Sequence, residues 1–322
     1  MKKIAIVAGE PNSINSEIIG KSWNKINKNK KYIFFVIGNF VLIKKQLNSK
    51  KIKIKIIKKE SINDIYISKS LQILNVDLNF KDPYKVNSVN SSKYVLRCLD
   101  LAHKWSINKK IFGFINCPVD KGKTFKSNTI GVTDYLAKKN NLEDTEVMMI
   151  YNKKFSVVPL TTHVPIKHVS KKISHRLIER KIFTLNSFFK NVFKKKPLIA
   201  VLGLNPHNAE HDYYSEENKI IVPSINKLKK KGYKVIGPFP ADTIFSNQRK
   251  YRYDVIVGMY HDQVLGPFKA LFNYKAINVT LGLNYIRVSP DHGIAKDIMK
   301  LKKANPSSLI ECAKFFLKLN ND

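Results

Sequence analysis

Three of the eight histidines, His163, His207 and His261, stand in settings that could hold one divalent metal ion. His163 lies in Thr161-Thr162-His163-Val164-Pro165, His207 in Gly203-Leu204-Asn205-Pro206-His207, and His261 in Met259-Tyr260-His261-Asp262-Gln263. Each follows a short apolar run (residues 155–159, 198–202 and 255–259) with the composition of a buried strand. All three therefore fall at the carboxyl ends of predicted strands, where open α/β sheets place their ligand crevices. Three imidazoles leave positions open on an ion, as catalysis requires, and Thr161, Asn205 and Asp262 stand beside them to orient the rings. The spacings are long, so no local metal motif exists, and a histidine taken singly is more often a surface or satisfied core residue. His103, His168 and His175 read as surface residues on or beside helices.

Other polar islands interrupt apolar sequence in the same way. Gly9-Glu10-Pro11 follows the first predicted strand, and Asn116-Cys117-Pro118-Val119-Asp120-Lys121-Gly122 follows another. Gly237-Pro238-Phe239-Pro240-Ala241-Asp242-Thr243 comes next, then Asn278-Val279-Thr280-Leu281-Gly282-Leu283 and the stretch Ile286 to Gly293. Any one of them reads as a turn, because Gly, Pro, Asn and Asp are what turns demand. So many at strand ends read as one continuous rim of an active site.

The elements that must position these residues alternate along the chain. Strands are predicted at 4–8, 32–37, 52–57, 111–115, 147–151, 155–159, 198–202, 234–236, 255–259 and 276–280. Helices are predicted at 13–25, 91–107, 133–139, 175–193, 216–231 and 306–319. Asn305 before Pro306 marks the start of the last helix, and Ser215 before Glu216 and Glu217 marks another. The alternation predicts α/β layers around a mainly parallel sheet, in two domains without a flexible linker or internal repeat.

Composition narrows the function classes. The formal charge of +34 invites nucleic acid as a partner. Yet the lysine runs, such as Lys194-Lys195-Lys196 and Lys229-Lys230-Lys231, are scattered and sit mostly at the ends of apolar segments. Lys, Asn and Ile are abundant together, which points to a solvated surface biased by base composition rather than to a nucleic-acid tract. The charge still steers anionic substrates. No apolar run approaches the ~20 residues of a membrane span, and the start reads as a first strand rather than a secretory leader. Cys98, Cys117 and Cys312 are unpaired in spacing, as expected of free thiols in the cytoplasm.

The motifs GEP, NCPVDKG, TTHVP, GLNPH, GPFPADT, MYHDQ, NVTLGL and IRVSPDHG, in this order over roughly residues 4 to 300, resemble those of the 4-hydroxythreonine-4-phosphate dehydrogenase family of vitamin B6 biosynthesis. The resemblance implies an isocitrate/isopropylmalate-dehydrogenase-like α/β fold, with an active-site cleft between two α/β domains. The first domain is expected at residues 1–130 with 285–322, and the second, carrying the metal histidines and the dimer interface, at residues 131–284. It implies a homodimer, a small phosphorylated substrate, and one divalent ion (zinc, cobalt, manganese or magnesium) on His163, His207 and His261, with His261 coming from the partner chain. Thr133, Lys269, Asn278 and Arg287 match substrate-binding positions, and Asp242, Asp262 and Lys269 match positions suited to proton transfer. Asp291, His292 and Gly293 match the stretch that approaches NAD, or NADP, in this fold. No G-x-G-x-x-G follows a strand, so the cofactor is not expected on a Rossmann fingerprint. The implied reaction oxidises a hydroxyl beta to a carboxylate, giving a β-keto acid that loses carbon dioxide.

Three stretches depart from the family pattern. Val132 stands where the family has a histidine, Asn12-Ser13-Ile14-Asn15 replaces a glycine-rich run, and the segment 208–212, with His211, is short. These leave open a related dehydrogenase acting on a phosphorylated sugar acid such as erythronate or threonate 4-phosphate. A basic nucleic-acid-binding protein without catalysis, or a phosphate acyl transferase on a related fold, would have no need of three such histidines.

Overall fold

The computed structural model describes residues 1–28, 31–125, 131–142, 146–210, 212–246 and 252–319; His211 lies outside them. The chain divides into two compact units, residues 1–141 with 283–319 and residues 142–282. Residues 131–141, expected above in the second domain, pack in the first unit. Val132 and Leu136 on the helix Val132–Lys139 are buried among Val7, Phe114 and Leu99.

In the first unit the described strands are β1 (Lys2–Val7), β2 (Tyr32–Gly38), β3 (Ile56–Lys59), β4 (Leu71–Asn75), β5 (Gly113–Asn116) and β12 (Ile286–Pro290). Their order is β3-β4-β2-β1-β5-β12, and every neighbouring pair is parallel. Ile4, Ala5, Ile6 and Val7 are fully buried, the unbroken apolar run expected of a parallel strand covered on both faces. Helices Phe40–Ser49 and Ser88–Ile107 begin on Asn39 and Asn87, whose side chains accept the amides of Leu42 and Asn90. The chain runs outward from β1 through β2 to β4 and β3, then returns to β1's other side with β5. That reversal makes the carboxyl ends of β1 and β5 the topological switch point, where a ligand crevice is expected.

In the second unit the described strands are β6 (Val147–Tyr151), β7 (Ser156–Thr161), β8 (Ile199–Leu202), β9 (Val235–Phe239), β10 (Val255–Tyr260) and β11 (Ile277–Leu281). Their order is β11-β6-β7-β10-β8-β9, with β6 antiparallel to both neighbours and the remaining pairs parallel. Phe155, Ile256, Val264 and Phe268 lie at the centre of its core. β8 leads outward to β9, whereas β10 leads back across the sheet to β11. The switch point is therefore between β8 and β10, the strands that precede His207 and His261.

Several elements differ from expectation. The strand predicted at 52–57 forms at Ile56–Lys59, because its neighbour β4 begins pairing at Leu71 opposite Ile56. The stretch from Ile286, read as a polar rim, begins with a buried strand, β12. The helix His261–Phe272 was not predicted. Cys98, Cys117 and Cys312 are buried and free, as expected. Among the described residues no helix is long and apolar enough to cross a membrane.

Candidate active site

Parallel pairing of β10 with β7 sets Tyr260 opposite Thr161, so the residues just beyond the two strands meet. His163 and His261 have ring centroids 6.0 Å apart and tilted by 33°. Two imidazoles bound to one ion at ~2.0–2.1 Å put their ring centres roughly 5 Å apart, so this pair is about an ångström wide of shared ligation. The Nδ1–H of His261 donates to Asp262 Oδ1 at 2.9 Å, since a carboxylate only accepts. That bond favours the Nδ1–H tautomer and leaves the lone pair on Nε2, the arrangement that metal-binding histidines use.

His207 sits on a contorted loop beyond β8. His207, Asn208 and Ala209 have φ of 51°, 58° and 52°, three successive non-glycine residues in the left-handed region. Such backbone persists only where the surroundings over-determine it, and here they do. Glu217, 1% exposed, accepts the amides of Leu204 and Asn205 at 2.7 and 2.8 Å and the Asn205 side chain at 2.9 Å. Glu216 takes the same Asn205 amide at 2.9 Å. Gln263 ties the loop to β10, donating to Gly203 O at 2.8 Å while accepting the Met259 amide at 2.6 Å.

The structure thus brings His163 beside His261 within one chain. His207 does not join them: among the described residues no three His, Cys, Asp or Glu side chains are grouped to hold one ion. The donor chemistry fits a divalent ion in kind, with two facing imidazoles and a carboxylate orienting one of them. Asp242, on the short helix Ala241–Ile244, Asp262 and Lys269 are exposed. Asn278 projects from β11 with a buried Oδ1 that has no hydrogen-bond partner among the described residues, an acceptor a ligand could satisfy.

In the first unit a second set gathers at the β1/β5 switch point. Arg287, 3% exposed on β12, donates through Nε to Asn116 Oδ1 at 2.5 Å and through Nη1 to Thr133 Oγ1 at 3.3 Å. Burial pushes the guanidinium down to about 10, still charged at neutral pH. Glu10 is 3% exposed and accepts Ser91 Oγ at 2.9 Å. Gly9 has φ 71°, and a Cβ there would lie 2.5 Å from Pro118 O, so only glycine permits this approach of the two loops. His292 donates through Nδ1 to Gly293 O at 2.9 Å, and its buried Nε2 has no partner among the described residues. That orphaned acceptor fits a ligand carrying a carboxamide or hydroxyl donor, as a nicotinamide cofactor does. The Asp291 amide is held by Ser308 Oγ at 3.1 Å, and Gly293 is exposed.

The departures from the family pattern acquire structural meaning. Val132 is 5% exposed and belongs to the core. Asn12 exchanges two hydrogen bonds with the backbone of Val86, at 2.7 and 2.9 Å, and Asn15 donates to Ala8 O and Pro118 O at 2.9 and 2.8 Å. Side chains here staple a loop that glycines would leave free. Sequence reasoning placed Asn116 only in a polar island and Glu217 only at a helix start, and gave Gln263 no role. The last two act on backbone amides and carbonyls, which leave no trace in residue pattern.

A protein of Sulfurihydrogenibium sp. named 4-hydroxythreonine-4-phosphate dehydrogenase is 37% identical over 325 residues, covering 99% of this chain and 98% of that one. One of Pectobacterium atrosepticum named D-threonate 4-phosphate dehydrogenase is 31% identical over 316 residues, covering 96% of each. The solved structure of 4-hydroxythreonine-4-phosphate dehydrogenase from Klebsiella pneumoniae superposes with a TM-score of 0.85 at 27% identity, covering 98% of this chain and 99% of that one. With residues 30–315 also matching the family model described as pyridoxal phosphate biosynthetic protein PdxA, the chain belongs to the PdxA family.

Proposed function

We propose that the chain oxidises 4-phosphooxy-L-threonine with NAD, or NADP, to a β-keto acid that decarboxylates to 3-amino-2-oxopropyl phosphate. The observation that carries this reading is the His163–His261 pair beyond adjacent strands, in a chain 37% identical over 99% of its length to a protein of that name. His163, His207 and His261 would hold the divalent ion, which supplies stabilisation of the negative charge that develops on the substrate hydroxyl. NAD supplies the hydride acceptor, approached by Asp291, His292 and Gly293. Arg287, aimed by Asn116 and Thr133, takes an anionic group of the substrate through charge-assisted hydrogen bonds. Asn278 offers its Oδ1, without a partner among the described residues, to a substrate donor, and the amino group is one. Asp262 or Asp242 removes the hydroxyl proton, and Lys269 returns a proton to carbon after carbon dioxide leaves. The same resemblance supports a homodimer with the active site at the interface, and the buried free thiols support a cytoplasmic setting.

A second reading, dehydrogenation of a phosphorylated sugar acid, is favoured by Val132, which offers no hydrogen bond where the family has histidine, and by the name of the Pectobacterium relative. NADH formation should be followed with 4-phosphooxy-L-threonine and with D-threonate 4-phosphate, each with zinc, cobalt, manganese and magnesium. Turnover of the amino acid is expected. Turnover of the sugar acid alone would replace the first reading with the second.

A further inference from the structure

A hollow of about 600 Å³ lies in the first unit, lined by Lys2, Lys3, Lys109, Lys110, Phe112 and Tyr285 among others. Its position follows from the parallel sheet. Lys2 begins β1, Phe112 precedes β5, and Ile286, also in the lining, begins β12. The hollow is therefore at the amino ends of these strands, whereas the Glu10 and Asn116 loops are at the carboxyl ends, a strand length of roughly 15–20 Å away.

Its chemistry is one-sided. Among the described residues, four lysines and no carboxylate line it. Lys3 is committed, donating to Ile62 O at 2.6 Å, and Lys2 lies 4.8 Å from the centre of the Phe112 ring. Lys109 and Lys110 are exposed on the turn after the helix Ser88–Ile107. Lys109 takes φ 55°, and the turn is pinned by the Lys110 amide donating to Trp105 O at 2.8 Å. Ile111, Phe112, Tyr285 and Ile286 supply the apolar wall. The Tyr285 hydroxyl is held by His103 Nδ1 at 2.9 Å and Asn140 Nδ2 at 3.3 Å, so that wall is fixed. A concave site of this size with an apolar wall and convergent cations has the make-up of a small-molecule site.

We propose that this hollow is a second ligand site, for a phosphate monoester carrying a planar ring. Tyr32 stacks on Phe112 at 5.6 Å and Lys2 lies over its centre, so the ligand ring packs against the edge of Phe112 beside Tyr285, and the phosphate meets Lys109, Lys110 and the ammonium of Lys2. Ile286 adjoins Arg287 on β12, so occupancy acts on the strand that aims Arg287 at Asn116.

Phenyl phosphate is the probe, with inorganic phosphate as the anion alone, titrated into the full chain by calorimetry. The matched variant is Lys109→Asn with Lys110→Ser: asparagine accepts the left-handed backbone at 109, and neither lysine belongs to the catalytic machinery. Phenyl phosphate should bind the wild type about tenfold more tightly than inorganic phosphate, and the double variant should lose about tenfold in affinity for it. Basal turnover should be unchanged in the variant, while phenyl phosphate shifts the substrate KM of the wild type only. Equal affinity for the two probes, or equal binding by wild type and variant, would overturn the site. Binding that leaves the wild-type KM unmoved would overturn its link to Arg287. The calorimetry reads binding without turnover, so failure of the proposed reaction and failure of this site are separable.

Discussion

Replacing Glu217 by glutamine tests how the His207 loop is held. One carboxylate oxygen of Glu217 accepts two backbone amides and the other accepts the Asn205 side chain, all within 2.9 Å and 1% exposed. In Glu217→Gln the amide oxygen keeps the two backbone donors, but its NH2 then faces the NH2 of Asn205. Turning Asn205 over does not relieve this, because its oxygen would then meet Glu216 Oε2, which now accepts from Asn205 at 2.9 Å. The change therefore loses one charge-assisted bond, sets two donors against each other, and removes the charge from the remaining pair. That sums to about 2–4 kcal/mol. At about 2–4 °C per kcal/mol for a body of this size, the melting midpoint falls by roughly 4–16 °C. Thermal unfolding by circular dichroism reads the midpoint, and elemental analysis reads metal retained after gel filtration. Both should drop. A midpoint within ~1 °C of wild type with full metal content would refute the view that this carboxylate sets the His207 loop.

Three further outcomes follow from the packing of the first unit. Alanine at Gly113 would put a Cβ 2.4 Å from Ile286 O, forcing β12 away by roughly half an ångström. Gly113→Ala should cost about 1–3 kcal/mol in urea unfolding and raise KM more than it lowers kcat, through Arg287. Lys50 lies 2.8 Å from the fully buried Glu17, so Lys50→Met leaves a buried carboxylate with part of its compensation and should cost about 3–5 kcal/mol, read in the same assay. Burial opposes ionisation of Glu17, but hydrogen bonds from Lys21, Lys50 and the Ala304 amide outweigh it, so its pKa lies below the ordinary value. The stability that Glu17 contributes is thus complete above about pH 4.3 and is lost as pH falls through the lower folded value. Urea midpoints against pH should fall over that acid limb, and Glu17→Gln should flatten it; an unchanged slope would exclude Glu17 as its source.

Much of this architecture was legible because parallel strands buried on both faces read as unbroken apolar runs, as at Ile4–Val7, Ile199–Leu202 and Val255–Tyr260. The histidines were legible through position, each following such a run. β12 was not, because Arg287 and Ser289 share one of its faces and both are buried, so a core strand carries the pattern of a polar loop. The helix His261–Phe272 was hidden by Gly266-Pro267 in its middle, a pair that ordinarily marks a turn. β4 was missed because Gln72, 1% exposed, spends its side chain on the backbone of Tyr66 and so interrupts a short apolar run. His103, read as a surface residue, is half-buried against Tyr285. Glu217 was read only as an acid in a helix's first turn; its partners are backbone amides 12 and 13 residues earlier.

The central claim is that His163, His207 and His261 act on one divalent ion. Elemental analysis of the purified full chain beside His207→Ala, each after exposure to excess zinc and gel filtration, tests it most directly. The account predicts about one ion per active site in the wild type and loss of most of it in the variant, with the fold retained by circular dichroism. Equal metal content in the two proteins would contradict it.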